Sequence, residues 1–382
     1  MNILVINAGS SSLKYQLFNM DDKSVTAKGL YERIGIGGPP DHADAVRQLL
    51  EKLTDKDTGV IKSVSEISAV GHRVLHGGEK FSGSVPVTED VIAAVDEMVP
   101  LGPLHNPANL VGIRACQKIM GDSVPQVAVF DTAFHQTMPP KAYMYALPYE
   151  YYTENHVRRY GFHGTSHRYV SSRAAEFLGK KPEDVRIVTC HLGNGSSLAA
   201  VAYGKCVDTT MGLTPLEGVP MGTRSGSIDP AILEYIGNAR GLSVGQVTNI
   251  LNKKSGVLGL SGVSSDFRDL RKAANEGNER AALALEHFAY NVSKRIAEMA
   301  AAMGGLDALA FTAGVGENDA VIREEVSRNL GFMGLQIDPA KNDTNKGEGD
   351  ISKDGSPARI LVIPTNEELV IALDTLQITD NR

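Results

Sequence analysis

The 382-residue sequence is short of several features that would settle its class at once. Cysteine occurs three times, at Cys116, Cys190 and Cys206, with no C-x-x-C spacing. An odd, scattered set builds neither a disulfide framework nor a zinc site, and it fits a reducing, cytoplasmic setting. Positive charge is not in excess: the formal net charge is -7 and no long basic cluster occurs. That argues against a nucleic-acid surface and a polybasic membrane patch. No apolar stretch approaches the roughly 20 residues needed to span a bilayer. The opening "MNILVINAGS" has neither a basic n-region nor a long apolar run, so no signal peptide is expected. Two nucleotide fingerprints are missing as well. There is no G-x-x-x-x-G-K-[ST] and no G-x-G-x-x-G, so a P-loop and a dinucleotide fold are not indicated.

What is there reads as a mildly acidic α/β protein. The apolar fraction of 42% supports full cores, 22% of residues are charged, and the length suits one large or two medium domains. Strand-like and helix-like segments alternate. "NILVINA" and "KYQLF" read as strands joined by a serine loop, and "QVAVFDTAF" as a strand ending on Asp131. "TEDVIAAVDEMVPL" starts with a Thr88 cap and two acids, and "NPANLVGIRACQKIM" carries Pro107 in its first turn. "NERAALALEHFAYNVSKRIAEMAAAMGG" is the longest helical pattern, and "KNDTNKGEGDISKDGSP" reads as an exposed loop. A Gly-Ser-Ser turn between strands at Gly9 recurs at Gly195, about half a chain later. Chance recurrence of a common turn is the alternative, but two similar half-length units are the economical reading.

Three glycine loops follow apolar strands: "NAGSSSLK", "HLGNGSS" and "FTAGVGEN". Small residues let backbone N–H groups point at an anion, and serine hydroxyls add donors. Any one of them is as readily a hairpin turn; together they favour a held nucleotide. Arg73 in "GHRVLHGGE" and Arg224 in "MGTRSGS" lie among glycines, where a guanidinium fork suits phosphate or carboxylate better than solubility. His163 and His167 in "RRYGFHGTSHR" lack the glutamate of H-E-x-x-H, so hydrogen bonding to an anion, or a structural role, outweighs metal ligation. Asp131 and Glu367 sit at strand ends, where open α/β folds place chemistry. Glu367 can equally be a helix cap or a magnesium ligand.

These motifs, "VINAGSSSLKYQLF", "GHRVLHGGEKF", "PLHNPAN", "VFDTAFH", "GFHGTSH", "HLGNGSS", "MGLTPLEG", "MGTRSGS", "FTAGVGEN" and "IPTNEE", occur in an order that resembles the acetate kinase family, within the superfamily of acetate and sugar kinases, heat-shock chaperones and actin. The resemblance covers essentially the whole chain. It implies a two-domain actin-like (ribonuclease H-like) α/β fold with duplicated cores and an interdomain nucleotide cleft. One domain would comprise residues 1–134 closed by 368–382, the other 135–367, with the nucleotide site in the latter.

The implied reaction is reversible, Mg2+-dependent transfer from ATP to acetate, with Mn2+ as a second option for the metal and a homodimer as the assembly. Asn7, Ser10, Ser12 and Lys14 would lie near the phosphates. Arg73 and Arg224 would hold the carboxylate and the phosphoryl group in flight, with His163 and Asn194 bonding that group beside Gly195. Asp131 and Glu367 would position the metal and reacting groups, with Asn7 as a further metal neighbour. Asp266, Phe267, Arg268, Gly314 and Asn318 would hold the adenosine end. Leu75, Leu104, Phe162 and Pro215 would wall the acetate methyl. The family often has valine where this chain has Leu75, which leaves acetate against propionate open. An ATP-dependent chaperone or filament protein on the same fold is the reading from another class; it has no need of an acid pocket.

Overall fold

A computed structural model describes residues 1–103, 105–121 and 123–380. The chain divides into two compact units, Met1–Gln136 with the segment from Asn366 onward, and Thr137–Thr365. Each unit contains one six-stranded mixed sheet.

In the first unit, β1 (Asn2–Gly9), β2 (Ser12–Asn19) and β3 (Ser24–Glu32) form an antiparallel meander. β4 (Ile67–Val74) pairs parallel to β1, and β6 (Gln126–Phe130) parallel to β4, while β5 (Val85–Pro86) closes the edge antiparallel to β6. The apolar runs of β1, β4 and β6 follow from this placement, because helices cover both faces of the parallel strands. Leu4, Ile6 and Val70 face a core with Leu49 and Cys116 from helices His42–Leu53 and Asn106–Met120. Ile3, Val5 and Val129 face Ile371 and Ala372 of helix Glu367–Asp380.

The second unit repeats the scheme. β7 (Arg186–Leu192), β8 (Ser196–Ala202) and β9 (Lys205–Thr209) form the meander, β10 (Ala308–Thr312) and β12 (Arg359–Val362) add in parallel, and β11 (Gly349–Asp350) is the antiparallel edge. The strand orders β3-β2-β1-β4-β6-β5 and β9-β8-β7-β10-β12-β11 correspond one to one. The Gly-Ser-Ser repeat is therefore the imprint of a duplicated core, and the architecture is the two-domain actin-like one that the motifs imply. Helix Gly164–Phe177 covers one face of the second sheet through Val170 and Ala174, and Glu279–Met303, capped by Asn278, covers the other.

One expectation is corrected. The polar stretch at residues 341–357 is not a simple exposed loop. It holds the end of helix Pro339–Thr344 and β11, and it buries Asn342, Ile351 and Ser352. Its polar residues serve inward: Asn342 Oδ1 accepts from the buried Arg323 Nε at 2.8 Å, and Asp350 pairs with Arg359.

Candidate active site

Parallel strands bring their carboxyl ends to one edge of a sheet, and the motifs collect there. In the first unit, β1 delivers Asn7 and a tight hairpin bearing Ser10 and Ser12, with Lys14 opposite Asn7 in the antiparallel register. Lys14 pairs with Glu368 at the start of the last helix. β4 delivers Arg73 and, one residue past its end, Leu75, and β6 runs out into Asp131. Asp131 is fully buried and receives Arg73 as a fork, Nε to Oδ1 at 3.0 Å and Nη2 to Oδ2 at 2.6 Å. The Asp131 charge, helped by Glu367 and Glu368, raises the Arg73 guanidinium above its usual pKa. Asp131 thus orients a cation rather than standing alone as a base.

Two asparagines that sequence reasoning did not single out fix this edge. Asn109 Nδ2 donates to Ala8 O at 2.8 Å and its Oδ1 accepts from Leu75 N at 3.0 Å. Asn106 bonds both ways to the His76 backbone. Two buried amides one helical turn apart in "HNPAN" were the available signal. Leu104 lies outside the described residues.

In the second unit, His163 precedes helix Gly164–Phe177 in a left-handed conformation (φ 57°). For a non-glycine residue this costs on the order of 1 kcal/mol and marks a constrained position. Its Nδ1 meets Ser197 Oγ at 2.9 Å, Ser197 Oγ meets His167 Nε2 at 2.8 Å, and His167 Nδ1 meets Thr189 Oγ1 at 2.7 Å. His163 also stacks on His191, with centroids 4.1 Å apart. His167 is therefore a buried structural partner of the His163 site. Among the described residues no group of three His, Cys, Asp or Glu side chains could hold a metal by itself.

Arg224 differs from Arg73. Its Nη1 reaches Met221 Sδ at 3.7 Å, no carboxylate pairs with it among the described residues, and burial lowers its pKa. A Cβ at Gly195 would lie 3.3 Å from Arg224 Nη1 and 3.6 Å from His163 Nε2. Arg224, His163 and the 193–195 turn therefore converge on one point. Gly222 has no room for a side chain because Asn194 Oδ1 occupies that space, and Gly222 N donates to Asn194 O at 3.1 Å.

The same turn borders a cavity of about 1040 Å³, at the top of the size range of small-molecule and cofactor sites and roomy enough for a nucleotide. Gly193, Asn194, Asp266, Phe267, Arg268, Gly314 and Asn318 line it. Asp266 caps helix Phe267–Asn275, and hydrogen bonds from the Arg268 side chain and backbone lower its pKa to about 2. Phe267 packs edge-on against Phe288, 4.7 Å between centroids, so much of its ring belongs to the core. Gly314 faces open space and accepts Asn318 Nδ2 at 2.8 Å. Arg271 and Lys272 line the cavity too; the basic run in "RDLRK" was the overlooked signal. Phe162 is fully buried and Pro215 half-buried in this unit, while Leu75 is buried in the first.

The acetokinase family profile matches residues 2–373. The chain belongs to the acetokinase family. An acetate kinase of Agathobacter rectalis is 57% identical over 396 residues, covering 99% of this chain and 100% of the relative. One of Thermotoga maritima is 56% identical over 400 residues, covering 100% and 99%. A crystal structure of Porphyromonas gingivalis acetate kinase superposes with a TM-score of 0.95 at 49% identity, covering 99% of each chain. A propionate kinase from Francisella tularensis gives 0.92 at 43%, again covering 99% of each. Family membership makes the chain a phosphotransferase.

Proposed function

We propose that the chain acts as an acetate kinase, transferring the γ-phosphoryl group of ATP directly to acetate. A carboxylate oxygen forms the new P–O bond while the bond from γ-phosphorus to the β–γ bridging oxygen breaks, giving acetyl phosphate and ADP. The observation that carries the reading is Arg224: a partly buried guanidinium that no carboxylate pairs with among the described residues, beside His163, one turn from the large cavity.

The chemistry explains the inventory. Acetate is ionised at neutral pH, so no base is needed to activate it. The obstacle is anion meeting anion, about 4 kcal/mol for unit charges 4 Å apart at an effective dielectric near 20. Fixed cations remove it. In this reading Arg224, His163 and Asn194 hold the equatorial oxygens of the phosphoryl group in flight. Arg73, aimed by Asp131, steadies the carboxylate. Asp266, Arg268, Gly314 and Asn318 hold the nucleoside, and Asn7, Ser10, Ser12 and Lys14 attend the phosphates. Leu75, Phe162 and Pro215 bound the methyl group.

Glu367 and Asn7 are hard oxygen donors that fit Mg2+, an ion usually held by one or two carboxylates plus substrate phosphates. When bound, it neutralises phosphate charge. A cytoplasmic homodimer belongs to the same reading, supported by three free, buried cysteines for the compartment; sedimentation equilibrium tests the assembly. The function is tested by assaying acyl phosphate with formate, acetate, propionate and butyrate. The highest kcat/KM is expected with acetate; a clear preference for propionate would make Leu75 part of a different pocket. Inversion at a chiral γ-phosphorus is expected, and retention would mean a phosphoenzyme.

A further inference from the structure

One methylene separates the competing acids, so a selective acyl pocket needs walls held in place. The inference that follows rests on the reading of Phe162 and Pro215 as two of those walls. Pro215 sits in an irregular loop, residues 212–218, "GLTPLEG". The loop is anchored from outside itself. Tyr145 Oη donates to Glu217 Oε2 and accepts from Leu213 N at 3.1 Å. Arg159 reaches Glu217 from the other side, Nη2 to Oε1 at 2.8 Å. Its Nη1 donates to the carbonyls of Thr209 and Thr210 at 2.8 and 3.0 Å.

Gly212 joins the two walls. Its carbonyl accepts from Tyr160 N at 3.1 Å and Gly161 N at 3.3 Å, on the segment that leads into Phe162 and His163. Any Cβ at residue 212 would overlap Tyr145 Oη and Glu217 Oε2, so the clamp rests directly on the loop backbone. Arg158 lies over the Tyr143 ring at 3.7 Å, which fixes the chain just before Arg159.

We propose that Tyr145, Glu217 and Arg159 form a clamp that sets the separation of Pro215 from Phe162 and thereby the acid selectivity of the enzyme. They are positioning residues. The loop has no regular structure of its own, so its shape depends on these side chains. A fork that holds two carbonyls and a carboxylate together cannot be replaced by a point charge.

The test measures kcat and KM for acetate, propionate and ATP, with thermal melts, in Tyr145→Phe, Glu217→Gln and Arg159→Lys, beside Pro215→Ala. The expected result is an acetate KM raised by about fivefold or more, and a propionate-to-acetate ratio of kcat/KM raised by a similar factor. The KM for ATP should stay within about twofold, because the clamp touches none of the cavity residues. Arg159→Lys, which keeps the charge but loses the fork, should shift the ratio at least as much as the nearly isosteric Glu217→Gln. If Pro215→Ala changes the ratio while the clamp variants that fold do not, the clamp is overturned and the wall reading stands. If Pro215→Ala leaves the ratio unchanged, the wall reading falls and the clamp with it. Equal rises in the KM for acetate and ATP would also overturn the clamp, since they indicate general loosening.

Discussion

Replacing Arg224 with alanine should separate activity from stability. The substitution removes two methylenes beyond Cβ, at most about 1.6 kcal/mol of apolar burial. It also removes a partly buried cation that no carboxylate pairs with among the described residues, and desolvation of that charge works against folding. The two effects oppose each other, so the net change in unfolding free energy should stay within about 1 kcal/mol. Turnover has no such compensation. A guanidinium on the transferring group is worth about 10³–10⁵ in rate, or about 4–7 kcal/mol. Acetyl phosphate formation trapped with hydroxylamine, alongside urea unfolding, measures both. Arg224→Lys should recover part of the rate, because a point charge replaces the fork. A loss below about tenfold, or a stability drop above about 3 kcal/mol, would refute the reasoning.

Arg73 should behave differently. Arg73→Ala strands the buried Asp131 carboxylate and should cost about 3–5 kcal/mol of stability. Adding Asp131→Asn should recover at least half of that in a double-mutant cycle, while activity stays lost. Gly195→Ala places a methyl 3.3 Å from Arg224 Nη1; turnover should fall about a hundredfold with an unchanged melt, since small displacements of a reacting group weigh heavily. His72 and His76 are buried and each is held down to about 4 by desolvation. Between 6.5 and 4 the unfolded chain therefore binds up to two more protons than the folded one, and stability falls as pH falls through that window. The steepest slope from this pair is about 2.7 kcal/mol per pH unit. His72→Gln should reduce it by about half in urea titrations at pH 7 to 5, and an unchanged slope would remove His72 from the account.

The legible parts of the molecule were those with local chemistry. The Gly-Ser-Ser repeat anticipated two sheets of one topology because a hairpin is written in consecutive residues. Arg73, Arg224 and His163 stood out because charge among glycines has few structural uses. Three features were not legible. The fork between Arg73 and Asp131 joins β4 to β6, and nothing in either strand's sequence states the register. The chain from His163 through Ser197 and His167 to Thr189 runs across a helix and two strands whose residues look like ordinary core and turn. The stretch at residues 341–357 looked solvated because its composition is polar, yet Asn342 turns inward to meet Arg323, a pairing set by tertiary packing rather than propensity.

The most direct measurement is ADP release from ATP with and without acetate, with acyl phosphate trapped in the same samples. The account predicts that ADP appears only with acetate and matches trapped acetyl hydroxamate one for one. ADP release at the same rate without acetate, and no hydroxamate, would contradict it.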